Sequence, residues 1–342
     1  MKCIAGLLIW SLAIASVRTA QADSFGSNAN SFVLEFVSIG HPGNPDDTVM
    51  DIGDPSAYAG IGSIDYTFNI SKYEISRDIV TKANTEGNLG ITLADMTSYG
   101  GNGANRPATG VSWNEAARFV NWLNTSRGFN PVYKFSAQPG DIAYSADADI
   151  QLWQPGDVGY NAANLFRNSL AHYFLPSIEE WYKAAHFDPN ANGGAGGYWN
   201  YASGSDTPPV PVSEGGVSGT AVYLQTASQG PADVDKAGGL SPFGVMGLGG
   251  NVSEIQETEP DLVNDFVPMF GSLRGVRGGN WNSNSADLFG PVAWGVPPRD
   301  SVLYLGFRVA SVPEPTSFVL CGVVAVGLLR LRRRMLDRIS AC

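Results

Sequence analysis

The chain has 342 residues, 41 of them glycine, and a formal net charge of −11 at pH 7. Its three cysteines, Cys3, Cys321 and Cys342, all lie near the two ends, which excludes disulfides and thiolate chemistry from the 290 residues numbered 23–312. That body holds 14 basic and 30 acidic side chains, and its net charge of −16 argues against nucleic acid or anionic lipid as a partner.

The N-terminal segment has the features of a secretory leader. A basic residue precedes an apolar stretch over residues 4–17, and Ala20 and Ala22 meet the small-residue rule for signal cleavage. Residues 1–22 are therefore predicted to be a signal peptide that is removed before Asp23, and an uncleaved membrane anchor is the alternative.

The body begins with two predicted strands, over residues 31–39 and 64–75, where β-branched and aromatic residues lie between turn residues. The first predicted helix starts at Ser112, whose hydroxyl can cap the free backbone amides. Glu115 stands three residues on, as in a capping box, and apolar residues then recur at helical spacing up to Gly128. This pattern predicts a short amphipathic helix packed on a larger core.

A second helix is predicted from the same pattern, with Ser177 as the N-cap and Glu180 as its capping-box partner. Two long segments rich in glycine follow, over residues 190–201 and 203–219. Tyr198, Trp199 and Tyr201 in the first segment predict an ordered loop anchored by aromatic side chains, whereas flexible insertions are predicted over residues 190–197 and 215–219.

The last predicted strands of the body cover residues 275–281 and 306–312. In the first, two adjacent glycines are expected to let another backbone approach closely while Trp281 fills the core. In the second, Arg308 interrupts an apolar strand. It is expected to be either a hydrogen-bonded structural arginine or part of the wall of a cleft.

The C-terminal segment combines a Pro-Glu-Pro triplet at 313–315, an apolar run over residues 318–329 and an arginine cluster at 330–334. These three elements in this order resemble the PEP-CTERM sorting tail of bacterial envelope proteins. The resemblance implies a single transmembrane segment within residues 313–342 and an exosortase-type sorting machinery as a partner. The body is then expected to be exported to the cell envelope or the extracellular space, and a plain tail anchor is the alternative.

Six short motifs occur in order along the body. They are ISKYEIS at 70–76, TGVSWNEA at 109–116, LPSIEEWYKAA at 175–185, GNVSE at 250–254, RGGNW at 277–281 and GFR at 306–308. Together they resemble the formylglycine-generating enzyme family, also called sulfatase-modifying factor domains, over residues 32–311. The resemblance implies an α+β domain with an irregular, loop-rich fold like that of C-type lectins, and we expect this domain over residues 23–312.

The resemblance also implies a place for the chemistry. Enzymes of the family oxidise a cysteine of a sulfatase with a copper ion held by two cysteines, and those positions fall near Ser283 and Leu288. Neither side chain replaces a thiolate, because Cu(I) prefers sulfur ligands, so copper binding is not expected. The ancestral pocket is expected near Ser283, Leu288 and Arg308, with Arg299 as a further neighbour if a divergent activity survives.

Calcium is the metal that the resemblance allows. In the family the loop around Gly-Asn-Val-x-Glu binds Ca²⁺ through oxygen atoms, which are the ligands this hard cation prefers. Asn251 and Glu254 are the corresponding candidate ligands, but the upstream ligand position falls at Gly247. The alternative is that both side chains only satisfy loop amides.

The three histidines, His41, His172 and His186, are separated by 131 and 14 residues and match no metal-ligand spacing. His186 is predicted in the last turn of the second helix. There a charged imidazolium would stabilise the C-terminal end of the helix.

These observations favour a noncatalytic, exported module that binds an extracellular polysaccharide or a protein partner. Aromatic residues in the segments 198–201 and 281–294 are its candidate binding surfaces. A divergent oxidoreductase acting on a protein substrate and a structural matrix protein are the two alternatives.

Overall fold

The computed structural model describes residues 21–48, 60–137, 141–144, 150–259 and 273–313. Residues 1–20 of the predicted leader and the predicted sorting tail from residue 314 onward lie outside these ranges. Gln21 and Ala22, the last two residues of the predicted leader, lie in strand β1. The strands in the described ranges are β1 Gln21–Phe25, β2 Phe32–Ile39, β3 Phe68–Ser71, β4 Lys134–Phe135, β5 Ile150–Gln151, β6 Tyr173–Phe174, β7 Phe187–Asp188, β8 Gly197–Tyr198, β9 Val210–Pro211, β10 Thr220–Ala221, β11 Ser253–Ile255, β12 Arg274–Arg277, β13 Trp294–Val296, β14 Leu305–Gly306 and β15 Ala310–Ser311. The helices are α1 Arg77–Gly87, α2 Trp113–Ser126, α3 Ile178–His186 and the single turn α4 Ala191–Gly194. Within the described ranges, none of these helices combines the length and the apolar character that a membrane crossing requires.

The larger sheet has the strand order β1-β2-β3-β15-β6, and its neighbouring strands are antiparallel. Strand β2 alternates between the two faces, with Phe32, Leu34 and Phe36 buried and Val33 and Glu35 exposed. This period of two is the pattern of a strand with one face on the core. Strand β15, from the end of the body, lies between β3 and β6 and so joins distant parts of the chain.

The second sheet has the order β13-β12-β11-β14, in which β11 is parallel to β14 and antiparallel to β12. The predicted close approach at the two glycines after β12 is confirmed at Gly278, which has a φ of +91°. A Cβ atom built there would lie 2.8 Å from the carbonyl oxygen of Leu248. Only glycine accommodates this contact without a shift of the backbone.

Helices α2 and α3 confirm the two predicted capping boxes. The Ser112 hydroxyl accepts a hydrogen bond from the amide of Glu115 at 3.2 Å, and the Glu115 carboxylate accepts one from the amide of Ser112 at 2.8 Å. Ser177 and Glu180 repeat this arrangement at the start of α3. Both helices bury most of their residues, as the predicted packing on a larger core requires.

The predicted fold class is confirmed: the domain is mixed α and β, with short strands and long connections. Three predicted strands were too long. The segment 64–75 is a strand only over Phe68–Ser71, and the segment 275–281 is a strand only up to Arg277. The segment 306–312 divides between β14 in one sheet and β15 in the other. The division occurs because Phe307 and Val309 turn their carbonyl groups toward the amides of Ile75 and Ser71, which carries the chain from one sheet to the other.

We expect the Ser112→Ala variant to lower the free energy of unfolding by about 1 kcal/mol, because the amide of Glu115 at the start of α2 loses its capping partner. Ser112→Gly should cost only a few tenths of a kcal/mol, because glycine is tolerated at N-cap positions. Urea denaturation of the two variants and the wild type measures both values. Equal losses for alanine and glycine would contradict a capping role.

Candidate functional site

Arg308 lies in a buried ion pair with Glu254, and both side chains are inaccessible to solvent. The guanidinium contacts both carboxylate oxygens and also donates to the carbonyl oxygens of Ser71 and Met246, each at 2.9 Å. The indole Nε1 of Trp181 donates to Glu254 at 2.6 Å. Of the two predicted roles of Arg308, a hydrogen-bonded structural arginine and a part of the wall of a cleft, the structure therefore shows the first.

A second carboxyl group, that of Glu74, lies beside this pair. It accepts hydrogen bonds from Nδ2 of Asn251 at 2.6 Å and from the amide of Val252 at 3.2 Å. Burial, together with the nearby charge of Glu254, raises the pKa of Glu74 well above its ordinary value. The surroundings of Glu74 therefore favour its protonated form beside the Glu254–Arg308 ion pair.

The candidate calcium ligands Asn251 and Glu254 lie close together, but their surroundings do not fit a calcium site. Arg308 already supplies the positive charge to Glu254, and the Oδ1 atom of Asn251 accepts from the amide of Ala232 at 2.8 Å. At Gly247, where the upstream ligand was expected, a Cβ atom would lie 3.1 Å from Cδ of Glu74. Glu74 thus occupies the space that a third ligand would need.

A cleft of about 200 Å³ opens at the second sheet. We call it the Ser283 cleft, and its lining residues are Ser253, Arg277, Gly279, Asn280, Ser283, Asp287, Val292, Trp294 and Tyr304. The rings of Trp294 and Tyr304 contact each other, with centroids 6.0 Å apart and planes tilted by 60°. Tyr304 is held by its carbonyl group, which accepts from the amide of Ser253 at 3.0 Å. The cleft therefore combines an aromatic pair with polar groups.

The structure separates the two positions where the family's cysteines were expected. Ser283 lines the cleft, and its hydroxyl accepts a hydrogen bond from the amide of Asn280 at 3.1 Å. A 3₁₀ turn over Ser285–Leu288 then carries Leu288 into an apolar cluster with Tyr201 and Tyr223, where its exposed fraction is 3%. A hydroxyl and a buried aliphatic side chain do not fit copper.

The other predicted site residues lie elsewhere. Arg308 does not line the Ser283 cleft, and Arg299 is exposed on the loop between β13 and β14. In the candidate aromatic segment 198–201, Tyr198 donates its hydroxyl to the carbonyl of Gly62 at 2.9 Å, so this ring serves packing. Of the second aromatic segment, Trp294 reaches the cleft whereas Trp281 is buried.

Sequence reasoning missed Tyr304 and Glu74. Tyr304 stands in a loop without periodicity, and only its place before the GFR motif connects it with the family signature. Glu74 is part of the ISKYEIS motif, but its partner Asn251 lies 177 residues away along the chain. A sequence without an alignment carries no signal for such a pair.

His186 ends α3 as predicted, but it is not a charged cap. Burial lowers the pKa of His186 to about 3, so the imidazole is neutral at pH 7. Its Nδ1 atom lies 3.0 Å from the carbonyl oxygen of Trp199, which fits an Nδ1–H donor. Among the described residues, no group of three His, Cys, Asp or Glu side chains is arranged to hold a metal ion.

Comparisons with known proteins agree with this fold. The family model described as the sulfatase-modifying factor enzyme 1-like domain matches residues 63–312, and no curated protein sequence matches the chain. Variable protein 1 of Treponema denticola is similar in structure, with a TM-score of 0.57 and 18% identity over 86% of this chain and 100% of that one. CarF is similar with a TM-score of 0.51 and 21% identity over 82% of this chain and 99% of that one. PvdO from Pseudomonas aeruginosa is similar with a TM-score of 0.52 and 15% identity over 85% of this chain and 98% of that one. At these identities the likeness concerns the fold alone.

We expect Glu254→Gln to lower the free energy of unfolding by about 3 kcal/mol or more, because it leaves the buried Arg308 without its counter-charge. Millimolar calcium or a chelator should leave the melting temperature of the wild type unchanged. Differential scanning calorimetry with and without calcium measures both effects. A melting temperature that rises with calcium in the wild type, but not in the variant, would restore Asn251 and Glu254 as calcium ligands.

The neutral His186 predicts a pH dependence of stability. Because its folded pKa is about 3 and lies below the unfolded value of about 6.5, the unfolded state binds more protons between these pH values. Stability should therefore fall as the pH is lowered through this range, by up to about 1.4 kcal/mol per pH unit from this group. His186→Asn retains a donor for Trp199 but not the titration, and urea denaturation at pH 6.5 and 4.5 should show a smaller loss than in the wild type. His41→Asn is the control, and an equal loss in all three proteins would contradict the assignment.

Proposed function

Because the chain belongs to the family of sulfatase-modifying factor enzyme 1-like domains, we propose that it is a noncatalytic member that binds an extracellular polysaccharide in the Ser283 cleft. The observation that carries this proposal is the Trp294–Tyr304 aromatic pair in a cleft without a thiol. The family supplies the scaffold, and the residues of the cleft supply the specificity. Fold alone does not determine what such a scaffold does.

The lining of the cleft suits a sugar. The faces of sugar rings carry C–H groups that stack on aromatic side chains, and Trp294 and Tyr304 offer two such faces. Asn280, Ser283 and Asp287 add donors and acceptors for hydroxyl groups. An aromatic surface with a few convergent polar groups is the usual form of a small-ligand site.

The same residues argue against catalysis. The redox chemistry of the family needs two thiolates, and its expected positions hold Ser283 in the cleft and Leu288 in the apolar core. Hydrolysis of a glycosidic bond ordinarily needs a pair of carboxyl groups, and among the described residues Asp287 is the single carboxylate that lines this cleft. Ser283 has no histidine beside it in the lining to act as a base. Binding is therefore the function that these groups support best.

The two terminal segments support an extracellular setting for this ligand. We propose that the leader directs export and that the C-terminal sorting tail is handled by an exosortase-type machinery, which leaves the body in the cell envelope or outside it. The acidic body, with a charge of −16, suits a solvated extracellular surface. The divergent enzyme and the structural matrix protein are the alternatives that an experiment has to separate.

We expect the full chain to be retarded in affinity electrophoresis through gels that contain extracellular polysaccharide from the producing cells. Trp294→Ala and Tyr304→Ala should each weaken retention about tenfold, which is about 1.4 kcal/mol and the scale of a lost aromatic contact. Tyr304→Phe keeps the ring and is the matched control, so its retention should stay close to that of the wild type. Val210→Ala changes an exposed residue outside the cleft and should have no effect.

Three results would overturn the proposal. Equal retention of the wild type and both alanine variants would place the ligand elsewhere. A mass change in a cysteine-containing sulfatase peptide incubated with the chain and copper would establish the divergent enzyme. Absence of retention, together with a loss of colony cohesion when the gene is deleted, would favour the structural matrix protein.

A further inference from the structure

A second cleft, of about 250 Å³, lies at the edge of strand β2 in the larger sheet. We call it the β2-edge cleft, and its lining residues are Val33, Leu34, Glu35, Ser71, Tyr73, Glu74, Ser76, Ile79, Asn105, Val234 and Asp235. It shares no lining residue with the Ser283 cleft. The function proposed above makes no use of it.

The pairing of β2 shows which backbone groups face this cleft. Strand β3 pairs with residues 36–39 of β2, and one further hydrogen bond runs from the amide of Lys72 to the carbonyl of Glu35 at 2.8 Å. The N–H and C=O groups of Glu35 therefore point toward β3. This direction reverses from each residue to the next along the strand, so the N–H and C=O groups of Val33, two residues earlier, point to the same side as those of Glu35. Beyond Lys72 the chain leaves this edge, so Val33 faces the cleft.

The other neighbour of β2 agrees with this orientation. Strand β1 pairs with residues 32–36, with Ser24 opposite Val33. The carbonyl of Ser24 accepts from Nη1 of Arg127 at 3.1 Å, so it points away from β2. Ser24 and Val33 are thus a pair without mutual hydrogen bonds. In the described part of the chain, no strand pairs with β2 at Val33 on the side of the cleft.

An open strand edge of this kind is the template for strand addition. A backbone N–H and C=O that lie together on one edge match the spacing of an extended peptide, which can add as a further strand. The N–H and C=O groups of an extended peptide repeat along one edge with this spacing, which favours a peptide as the ligand of this cleft.

The walls of the cleft indicate which peptide fits. Ile79, Val234 and the ring of Tyr73 offer apolar contacts, while Glu35 and Asp235 contribute carboxylates. Among the residues that the structure describes, no lysine or arginine lines the cleft. Burial raises the pKa of the remaining carboxyl, that of Glu74, well above its ordinary value. The charged lining groups are therefore all negative.

Lys72 shows how a cation sits at the rim of this cleft. Its Nζ lies 3.5 Å from the carboxylate of Glu35 and 5.0 Å from the centre of the Tyr73 ring. The Lys72 side chain remains about 30% exposed, so a cationic side chain of a ligand can compete for the same carboxylate. Such an exposed pair is weak and exchanges at little cost.

We propose that the β2-edge cleft binds an extended, basic peptide segment, which pairs with the backbone of Val33 as an additional strand. The peptide places a lysine or arginine at Glu35 and Asp235 and its apolar residues against Ile79 and Val234. This is a protein-binding site separate from the polysaccharide site proposed above. The two activities can therefore fail independently.

The probe for this site is the acetylated and amidated pentapeptide Lys-Val-Thr-Val-Lys, titrated into the full chain by isothermal calorimetry. Binding should weaken at least tenfold when alternate peptide amides are N-methylated, because the methyl groups remove the donors needed for strand pairing. The acidic analogue Glu-Val-Thr-Val-Glu should also bind at least tenfold more weakly. Equal affinity of the N-methylated peptide would overturn strand addition, and equal affinity of the acidic peptide would overturn the charge assignment.

The matched variants are Val33→Pro and Val33→Thr. Proline removes the amide N–H that faces the cleft and leaves the hydrogen bonds between β2 and β1 intact. Proline is tolerated at a strand position whose N–H has no partner strand, as at position 33. Val33→Pro should weaken binding at least tenfold, whereas Val33→Thr, which keeps the amide, should bind like the wild type. Equal binding by all three proteins would refute the proposal. If Val33→Pro lowers the melting temperature, the comparison of the unmodified and N-methylated peptides on the wild type decides the question. Retention of Val33→Thr on polysaccharide should equal that of the wild type.

Discussion

The buried pair of Arg308 and Glu254 is the interaction on which the arrangement of the domain depends. Arg308 follows β14, and its guanidinium also holds the carbonyl groups of Ser71, at the end of β3, and of Met246. Glu254 lies in β11 and receives the indole N–H of Trp181 from α3. One ion pair thus connects both sheets and a helix. Because an unpaired buried charge is costly, these elements hold together as a set.

The same ion pair gives the motif Gly-Asn-Val-Ser-Glu at 250–254 a structural role. Its glutamate, Glu254, already has a cation as its partner, and its asparagine, Asn251, donates to the carboxyl group of Glu74. Each polar group of the motif therefore has a partner within the protein. A motif that can bind a metal in relatives acts here as part of the scaffold. The residues that differ from the family signature, such as Gly247, matter as much as those that match it.

The sequence predicted the features whose signals are local. The capping boxes of α2 and α3 identified both helices, because an N-cap and its partner lie three residues apart. Helix α1 was missed because only Val80 and Ala83 among its residues are buried, which leaves no apolar stripe to detect. The separation of Ser283 from Leu288 depends on one 3₁₀ turn between them. Pairs such as Glu74 with Asn251 depend on the whole fold.

The chain segment from Asn251 to Glu254 also connects the two clefts physically. Asn251 holds Glu74, which lines the β2-edge cleft, while Ser253 lines the Ser283 cleft. Glu254 follows Ser253 in the chain and is held by its ion pair with Arg308. Both clefts thus border one buried polar network, in which Glu254 lies in β11 whereas Glu74, Asn251 and Arg308 lie in the segments between strands. Because loops on a rigid framework are free to vary, the same scaffold can present different side chains at the Ser283 cleft.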